Sequence, residues 1–284
     1  VRPDVLVTNE IEINSKRSAY FDMVRGILEN TDLRWAAYTP IWRSRFVPNE
    51  GVGRVDMGNC IFSRYPIVAN ERISQVDRTD QDPLTRSFYL HRGVGRAVLD
   101  VGGRQLAVYA VHTEAYDMDG TNSRQQQQIL ELTRAETLPF VLAGDFNALP
   151  PTSLKSSKFP DEHPSSIGTD FEQPPYRLTD LQPFYDELKP AITLARYGTT
   201  VEQQSRYYTH SVIGPAITGT DGKPGFWNRK LDYLFVKGPD SWGATDVLQR
   251  SGDGAGLAGE GGIASEPVLL SDHCPVVGIW EVNR

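Results

Sequence analysis

Short apolar runs punctuated by turn residues recur along the chain, and most of them end in a polar residue. Val5-Leu6-Val7 predicts a short buried strand that delivers Glu10 at its end. Phe21, Val24, Ile27 and Leu28 share one face of a helix that Ser15 or Ser18 can cap and that leaves at Asn30. Trp35–Tyr38 reads as a strand, residues 40–56 as a loop rich in Arg, Pro and Gly, and Met57–Ser63 as a strand stopped by Tyr65-Pro66. Residues 69–92 are polar without a clear period. Ala97, Leu99 and Val101 alternate, Gly102-Gly103 turns, and Leu106, Val108 and Ala110 alternate back to His112, which is a hairpin. Ser123 and Gln126 match a capping box for a helix reaching about Glu136. Phe140–Ala143 predicts a buried strand running into Gly144-Asp145-Phe146-Asn147.

Residues 149–178, rich in Pro, Ser and Asp, read as a long surface insertion. Leu231–Val236 is a strand, 251–266 a Gly-rich segment, and Val268–Leu270 leads into Ser271-Asp272-His273 before a closing strand, Val276–Trp280. There is no repeat of 20–50 residues and no interdomain linker, so the pattern predicts one domain, 1–284, of mixed sheets and flanking helices.

Composition adds bounds. With 284 residues, 39% of them hydrophobic, the chain can bury a core without disulfides, and Cys60 and Cys274 sit in apolar segments that predict buried free thiols. The net charge of −7 counts against a dedicated binder of long nucleic acid. No apolar run approaches the ~18–20 residues of a membrane span, and no basic-then-apolar leader opens the chain.

The informative pattern is positional. Apolar strands end in Glu10, His112, Asp145 with Asn147, and Asp272 with His273, while Asp232 lies inside an apolar strand. A buried carboxylate without a partner is costly, and one shared site would satisfy all of these groups. Strand ends are also where open α/β sheets bind ligands. Oxygen donors without thiolates suit Mg²⁺, Mn²⁺ or Ca²⁺ better than zinc. Taken singly, Asp145 and Asn147 read equally well as turn residues; the plainer readings carry less weight for Asp272-His273 as a cap or ion pair, Asp232 as an arginine partner, His112 as a half-buried histidine and Glu10 as a surface carboxylate.

Thr8-Asn9-Glu10, Gly58-Asn59-Cys60-Ile61-Phe62-Ser63-Arg64-Tyr65-Pro66-Ile67, Val111-His112-Thr113, Gly144-Asp145-Phe146-Asn147-Ala148, Arg229-Lys230-Leu231-Asp232-Tyr233 and Ser271-Asp272-His273-Cys274-Pro275-Val276 occur in that order. Together they resemble the endonuclease/exonuclease/phosphatase superfamily, across nearly the whole chain. The resemblance implies a DNase I-like α/β (α+β) fold, a four-layer sandwich of two packed mixed β-sheets flanked by helices. It implies a divalent-metal-dependent hydrolase of phosphodiesters or phosphomonoesters, with water attacking in line. Glu10 would be the main metal ligand and Asp272 a contributor. Asp145 would orient or deprotonate the water, and Asn147 would hold water or phosphate, in one version through a second ion. His273 would contact the phosphate, oriented and kept cationic by Asp232, and His112 would stabilise phosphate or leaving group. Two departures stand out: Asn9 replaces the family's usual Gln, and no strand precedes Val5 to carry the family's supporting asparagine, so either the chain is truncated there, which is the expectation, or another segment substitutes, and its compartment stays open.

Arg43, Arg45 and Arg54, in one predicted loop with Trp42 and Phe46, are candidates to hold phosphate and stack on a base or lipid edge, against the plainer reading of a solvated loop. His210, in Tyr207-Tyr208-Thr209-His210, is a candidate substrate contact or a structural residue. The acidic charge favours a small phosphorylated molecule, a lipid headgroup or a nucleic-acid end as substrate. A DNase I-like or apurinic-type nuclease is the nearest alternative, and a catalytically inactive scaffold is the alternative from another class. No protein partner is predicted.

Overall fold

The computed structural model describes residues 2–48, 53–169, 171–214, 216–257 and 261–281. They fall into two compact units, residues 2–114 with 119–145, and residues 115–118 with the chain from 146 onward.

In the first unit, β1 (Val5–Glu12), β2 (Trp35–Val47) and β3 (Gly53–Ser63) form an antiparallel sheet with β3 in the middle. Residues 55–63 of β3 are buried without a break, as expected of a central strand covered on both faces. A second sheet runs β4 (Ile67–Ser74), β5 (Gly93–Val101), β6 (Arg104–His112) and β7 (Phe140–Asp145), antiparallel except for the parallel β6–β7 pair. The two sheets pack together, β2 on β4 and β5, β3 on β5 and β6, β1 on β6 and β7. Helix α1 (Met23–Asn30) covers the outer side of the first sheet, where Met23, Val24, Ile27 and Leu28 meet Leu6, Ile11, Leu33 and Phe62. Two further helices, α2 (Pro83–Phe88) and α3 (Thr121–Ala135), complete this unit.

The second unit holds α4 (Gln182–Glu187), β8 (Lys189–Pro190), α5 (Leu194–Tyr197), α6 (Val201–Ser205), β9 (Asp232–Lys237), β10 (Thr245–Val247) and β11 (Val276–Gly278). β8 pairs with β9 and β10 with β11, both antiparallel. These are mixed sheets with flanking helices, the expected α/β class.

Several local expectations hold. The hairpin turns at Gly102-Gly103 with φ of 63° and 88°, the left-handed values a two-residue turn requires. Both cysteines are free and buried, and burial pushes the Cys60 thiol up to about 12. Other expectations are corrected. Asp22, not a serine, caps α1 by accepting from Arg25 N, and Phe21 lies exposed outside the helix. Ser123 lies inside α3, whose N-cap is Gly120; Asp119 accepts from Thr121 N instead, and the capping box present is Thr200 with Gln203 on α6. Val268–Leu270 does not extend as a strand, since Pro267–Leu269 is a 3₁₀ turn. The polar stretch 69–92 contributes β4 and α2.

The largest correction concerns residues 40–56. Most of this segment is strand, the long arms of β2 and β3, and residues 49–52 lie outside the described residues. Arg43 stands directly across from Asp56 and Trp42 across from Met57, with register slips at Pro40/Trp42 and Ser44/Val47. The slips accommodate a proline inside a strand and break the alternation that would have revealed it.

Candidate active site

Within the first unit, β1 slips register against β3 between Thr8 and Ile11, and Glu10 sits at the slip with φ of 53°. A bulge of this kind re-aims a side chain, and a non-glycine residue in the left-handed region costs on the order of 1–3 kcal/mol. The re-aimed carboxylate is 59% exposed, and its Oε1 lies 3.9 Å from His112 Nε2. The same nitrogen is 3.6 Å from Asp145 Oδ2. His112 and Asp145 are side-by-side partners at the ends of the parallel β6–β7 pair, and both are buried. The first unit thus gathers Glu10, His112 and Asp145.

Asn9 explains how they are held. Its Nδ2 donates to Asn59 Oδ1 at 2.9 Å and to Val111 O at 2.8 Å, and its Oδ1 accepts from Asp145 N at 3.2 Å. One short amide therefore ties together β1, β3, β6 and β7 beside Glu10. Gly144 explains the approach of Asp145 to His112. With φ of 138°, a Cβ at this position would lie 2.0 Å from Val111 O, which no side chain survives.

The main stretch of the second unit opens with Phe146, fully buried among Phe184, Tyr233 and Phe235 in edge-to-face contacts, with its N–H donating to Leu231 O. Asn147 follows with φ of 41°, so the motif is a buried aromatic anchor that fixes a left-handed amide residue. On β9, Asp232 Oδ2 accepts from His273 Nδ1 at 2.8 Å. Thr209, fully buried, accepts from Leu231 N and Asp232 N and so sets the position of that carboxylate. His273 is set by its neighbours: its own N–H donates to Ser271 Oγ, and Cys274 N donates to Thr209 O. The His210 ring lies 4.4 Å from the His273 ring, centroid to centroid. Burial, aided by the positive fields of His273 and Arg229, pushes the His210 imidazole well below its ordinary value. Asp272 is exposed beside them. The second unit thus gathers Asp232, His273, His210 and Asp272, with Asn147 at the turn after Phe146.

Three residues that periodicity did not single out support this group. Lys230 is buried, donates to Asp232 O at 2.6 Å, lies over the Tyr233 ring, and is pushed down to about 8 by burial. Arg229 and Asp161 form a fully buried pair at 2.7 Å, with the guanidinium over Phe159, and Asp161 also accepts from Val212 N. The insertion 149–178 is therefore pinned at Asp161 to the segment that leads into β9. Arg229 and Lys230 stand in the Arg229–Tyr233 motif, though no role was read for either, and Asp161 carried no signal in the sequence.

The arginines predicted as substrate contacts have another partner. Arg43 Nε and Arg54 Nη2 reach the buried Asp56 carboxylate at 3.2 and 3.5 Å, and Tyr38 OH donates to it at 3.1 Å. They neutralise a buried charge, whereas Arg45 is exposed.

The donor chemistry of each unit suits a hard divalent cation better than a soft one: Glu10 and Asp145 in the first and Asn147 and Asp272 in the second offer oxygens, while both thiols are buried in apolar clusters. Mixed sheets, flanking helices and carboxylate–imidazole groups at strand ends define a DNase I-like α/β protein. The chain belongs to the Endonuclease/Exonuclease/phosphatase family, whose model matches residues 1–273. An endonuclease/exonuclease/phosphatase from Beutenbergia cavernae DSM 12333 superposes with a TM-score of 0.58 at 19% identity over 97% of this chain, which spans 62% of that one. Sphingomyelinase C from Streptomyces griseocarneus gives 0.55 at 20% identity, covering 97% of this chain and 85% of that one. A mannosyl-6-phosphatase from Bacteroides thetaiotaomicron VPI-5482 gives 0.51 at 17% identity, covering 98% and 85%. At these identities the likeness is one of fold. No functionally curated sequence matches the chain. No helix among the described residues is long and apolar enough to cross a membrane.

Proposed function

We propose that this chain, read as one domain, is a divalent-metal-dependent phosphoesterase that hydrolyses a phosphodiester or phosphomonoester. The observation that carries the reading is the 2.8 Å hydrogen bond from His273 Nδ1 to Asp232. A carboxylate that accepts at Nδ1 leaves Nε2 of a partly exposed imidazole to donate to a phosphate oxygen. In this reading Asp145 orients the attacking water and accepts its proton, and His112, between Asp145 and Glu10, stabilises negative charge on the phosphate or leaving group. Asn147 holds the water or a phosphate oxygen, Glu10 is the main carboxylate for Mg²⁺ or Mn²⁺ in the first unit, and Asp272 is the carboxylate that the second unit offers. The cation, when bound, polarises the phosphorus centre and lowers the pKa of the water. The net charge of −7 favours a small phosphorylated molecule, a lipid headgroup or a nucleic-acid end over a long duplex. The names of two fold neighbours, a sphingomyelinase and a sugar phosphatase, accord with diester and monoester chemistry respectively.

The test is a phosphate-ester panel with Mg²⁺, Mn²⁺, Ca²⁺ or EDTA. It spans p-nitrophenyl and bis-p-nitrophenyl phosphate, single- and double-stranded DNA, sphingomyelin and inositol phosphates. Cleavage that EDTA abolishes, and that Asp145→Ala and His273→Ala each remove while the melting curve is kept, is the expected outcome. An active Asp145→Ala variant overturns the mechanism, and silence with every substrate and metal moves the reading to an inactive scaffold.

A further inference from the structure

We propose that His210, Asp272 and His273 form a binding site for a transition-metal ion of the Zn²⁺ or Co²⁺ type, and that its occupancy inhibits the hydrolase by capturing His273. The inhibition rests on the function proposed above; the binding does not.

Among the described residues, these three are the one group of His, Cys, Asp or Glu whose ligand atoms all lie within 4.8 Å of one another. The main chain builds that proximity. His210 pairs in antiparallel fashion with both Arg229 and His273, Ser211 N donates to Asp272 O at 3.0 Å, and Cys274 N donates to Thr209 O at 2.9 Å. Segments 209–211 and 272–274 are thereby clamped side by side, which brings the two imidazoles face to face at 4.4 Å with a 45° tilt.

Three features turn proximity into a site. His210 is 8% exposed, and its Nδ1 is buried without a hydrogen-bond partner. A buried polar atom in that state costs about 1–3 kcal/mol, and a cation at Nδ1 removes the cost. Asp232 already holds His273 Nδ1, the outer-sphere arrangement that fixes the opposite nitrogen as the ligand. The third donor, the Asp272 carboxylate, is exposed and held only by a long 3.4 Å hydrogen bond from Ser271 Oγ. Metal–ligand bonds of about 2.1 Å need donors about 3.4 Å apart in a tetrahedron, so closure asks for a shift of roughly an ångström. The exposed Asp272 and partly exposed His273 can supply that shift against the fixed His210.

Ligand softness sets the ion. Two imidazoles and one carboxylate suit Zn²⁺, Co²⁺ or Ni²⁺, whereas Mg²⁺ prefers all-oxygen sets and dehydrates reluctantly. Excess Mg²⁺ competes for Asp272, which the proposed function also uses, but leaves both imidazoles to the softer ion. With three protein ligands a fourth position stays open, and His273 Nε2, once metal-bound, no longer donates to phosphate.

Cobalt makes the test direct. The full chain is titrated with Co²⁺ in excess Mg²⁺, followed by visible ligand-field absorption, and Zn²⁺ is then added. One Co²⁺ per chain in a four- or five-coordinate spectrum, displaced by Zn²⁺ but not by Mg²⁺, is expected. His210→Ala and His210→Asn should each weaken binding by at least about tenfold, and Asp232→Asn by roughly 10–100-fold. Asp272→Asn, at an exposed position that the fold does not need, should weaken it too, which keeps the test decisive if the His210 variants fail to fold. Glu10→Gln should not weaken Co²⁺ binding. Affinity unmoved by Asp272→Asn or by a folded His210 variant, affinity lost in Glu10→Gln, or displacement by Mg²⁺ overturns the site. Cobalt bound through His210 in a chain silent on every ester would keep the site and reject the phosphoesterase. Turnover with no such binding would do the reverse.

Discussion

Replacing Asn9 by Ala tests whether one amide organises the catalytic end of the first unit. The substitution removes three hydrogen bonds of 2.8–3.2 Å and strands their partners: Asn59 Oδ1, Val111 O and Asp145 N. Asn59 and Val111 are fully inaccessible, so water does not replace what is lost. At about 1 kcal/mol for each net bond, the expected loss is about 3 kcal/mol, with more if the buried partners stay unmet. For a chain of this size that is a fall in melting temperature of roughly 5–10 °C. Urea unfolding of wild type and Asn9→Ala, under identical salt and metal, measures it as a change in midpoint at constant slope. Asn9→Gln, which restores both amide functions on one more methylene, should recover part of the stability, and Asn9→Asp, which keeps only the acceptor, should not. Because Asp145 loses its backbone anchor, Asn9→Ala should also lower kcat on any ester the wild type cleaves. An Asn9→Ala protein within about 0.5 kcal/mol of wild type would refute the clamp, since that is the range of ordinary surface changes.

Other outcomes follow from the same geometry. Gly144→Ala places a Cβ 2.0 Å from a backbone carbonyl and should cost at least about 4 kcal/mol, read in the same unfolding assay. Arg229→Met strands the fully buried Asp161 carboxylate and should cost about 3–5 kcal/mol, with most of it recovered by adding Asp161→Asn. Lys230 binds its proton less tightly folded than unfolded, so between about pH 8 and its ordinary value near 10.5 the unfolded chain holds more protons and stability rises with pH. From neutral pH to about pH 9.5 the gain is about 2 kcal/mol, and Lys230→Met should abolish that rise in unfolding curves taken across the range.

Residues whose partners are near in sequence were legible, and those whose partners are distant were not. The β5–β6 hairpin follows from alternation around two glycines, and the strand ends at His112 and Asp145 from where apolar runs stop. The arms of β2 and β3 were hidden because Arg43 finds its charge partner in Asp56 across the sheet, which no local period encodes. The insertion read only as a surface segment because its anchor, Asp161, pairs with Arg229 at a separation of 68 residues. The candidate site divides the same way. Its carboxylates and imidazoles announced themselves by residue type, whereas the geometry that uses them comes from Asn9, Thr209 and Lys230, whose types are common anywhere. His210 stood out as a residue, but its face-to-face placement with His273 depends on a backbone bridge between segments far apart in the chain.

The slip at Glu10 also bears on how such a site changes over generations. Side chains alternate faces along a strand, so a one-residue change of register exchanges every face beyond it. Losing one residue between Thr8 and Ile11 would restore regular pairing with β3 and take away the backbone geometry that aims Glu10. Point substitutions can retune this site by degrees, but a single codon deletion there would end it in one step.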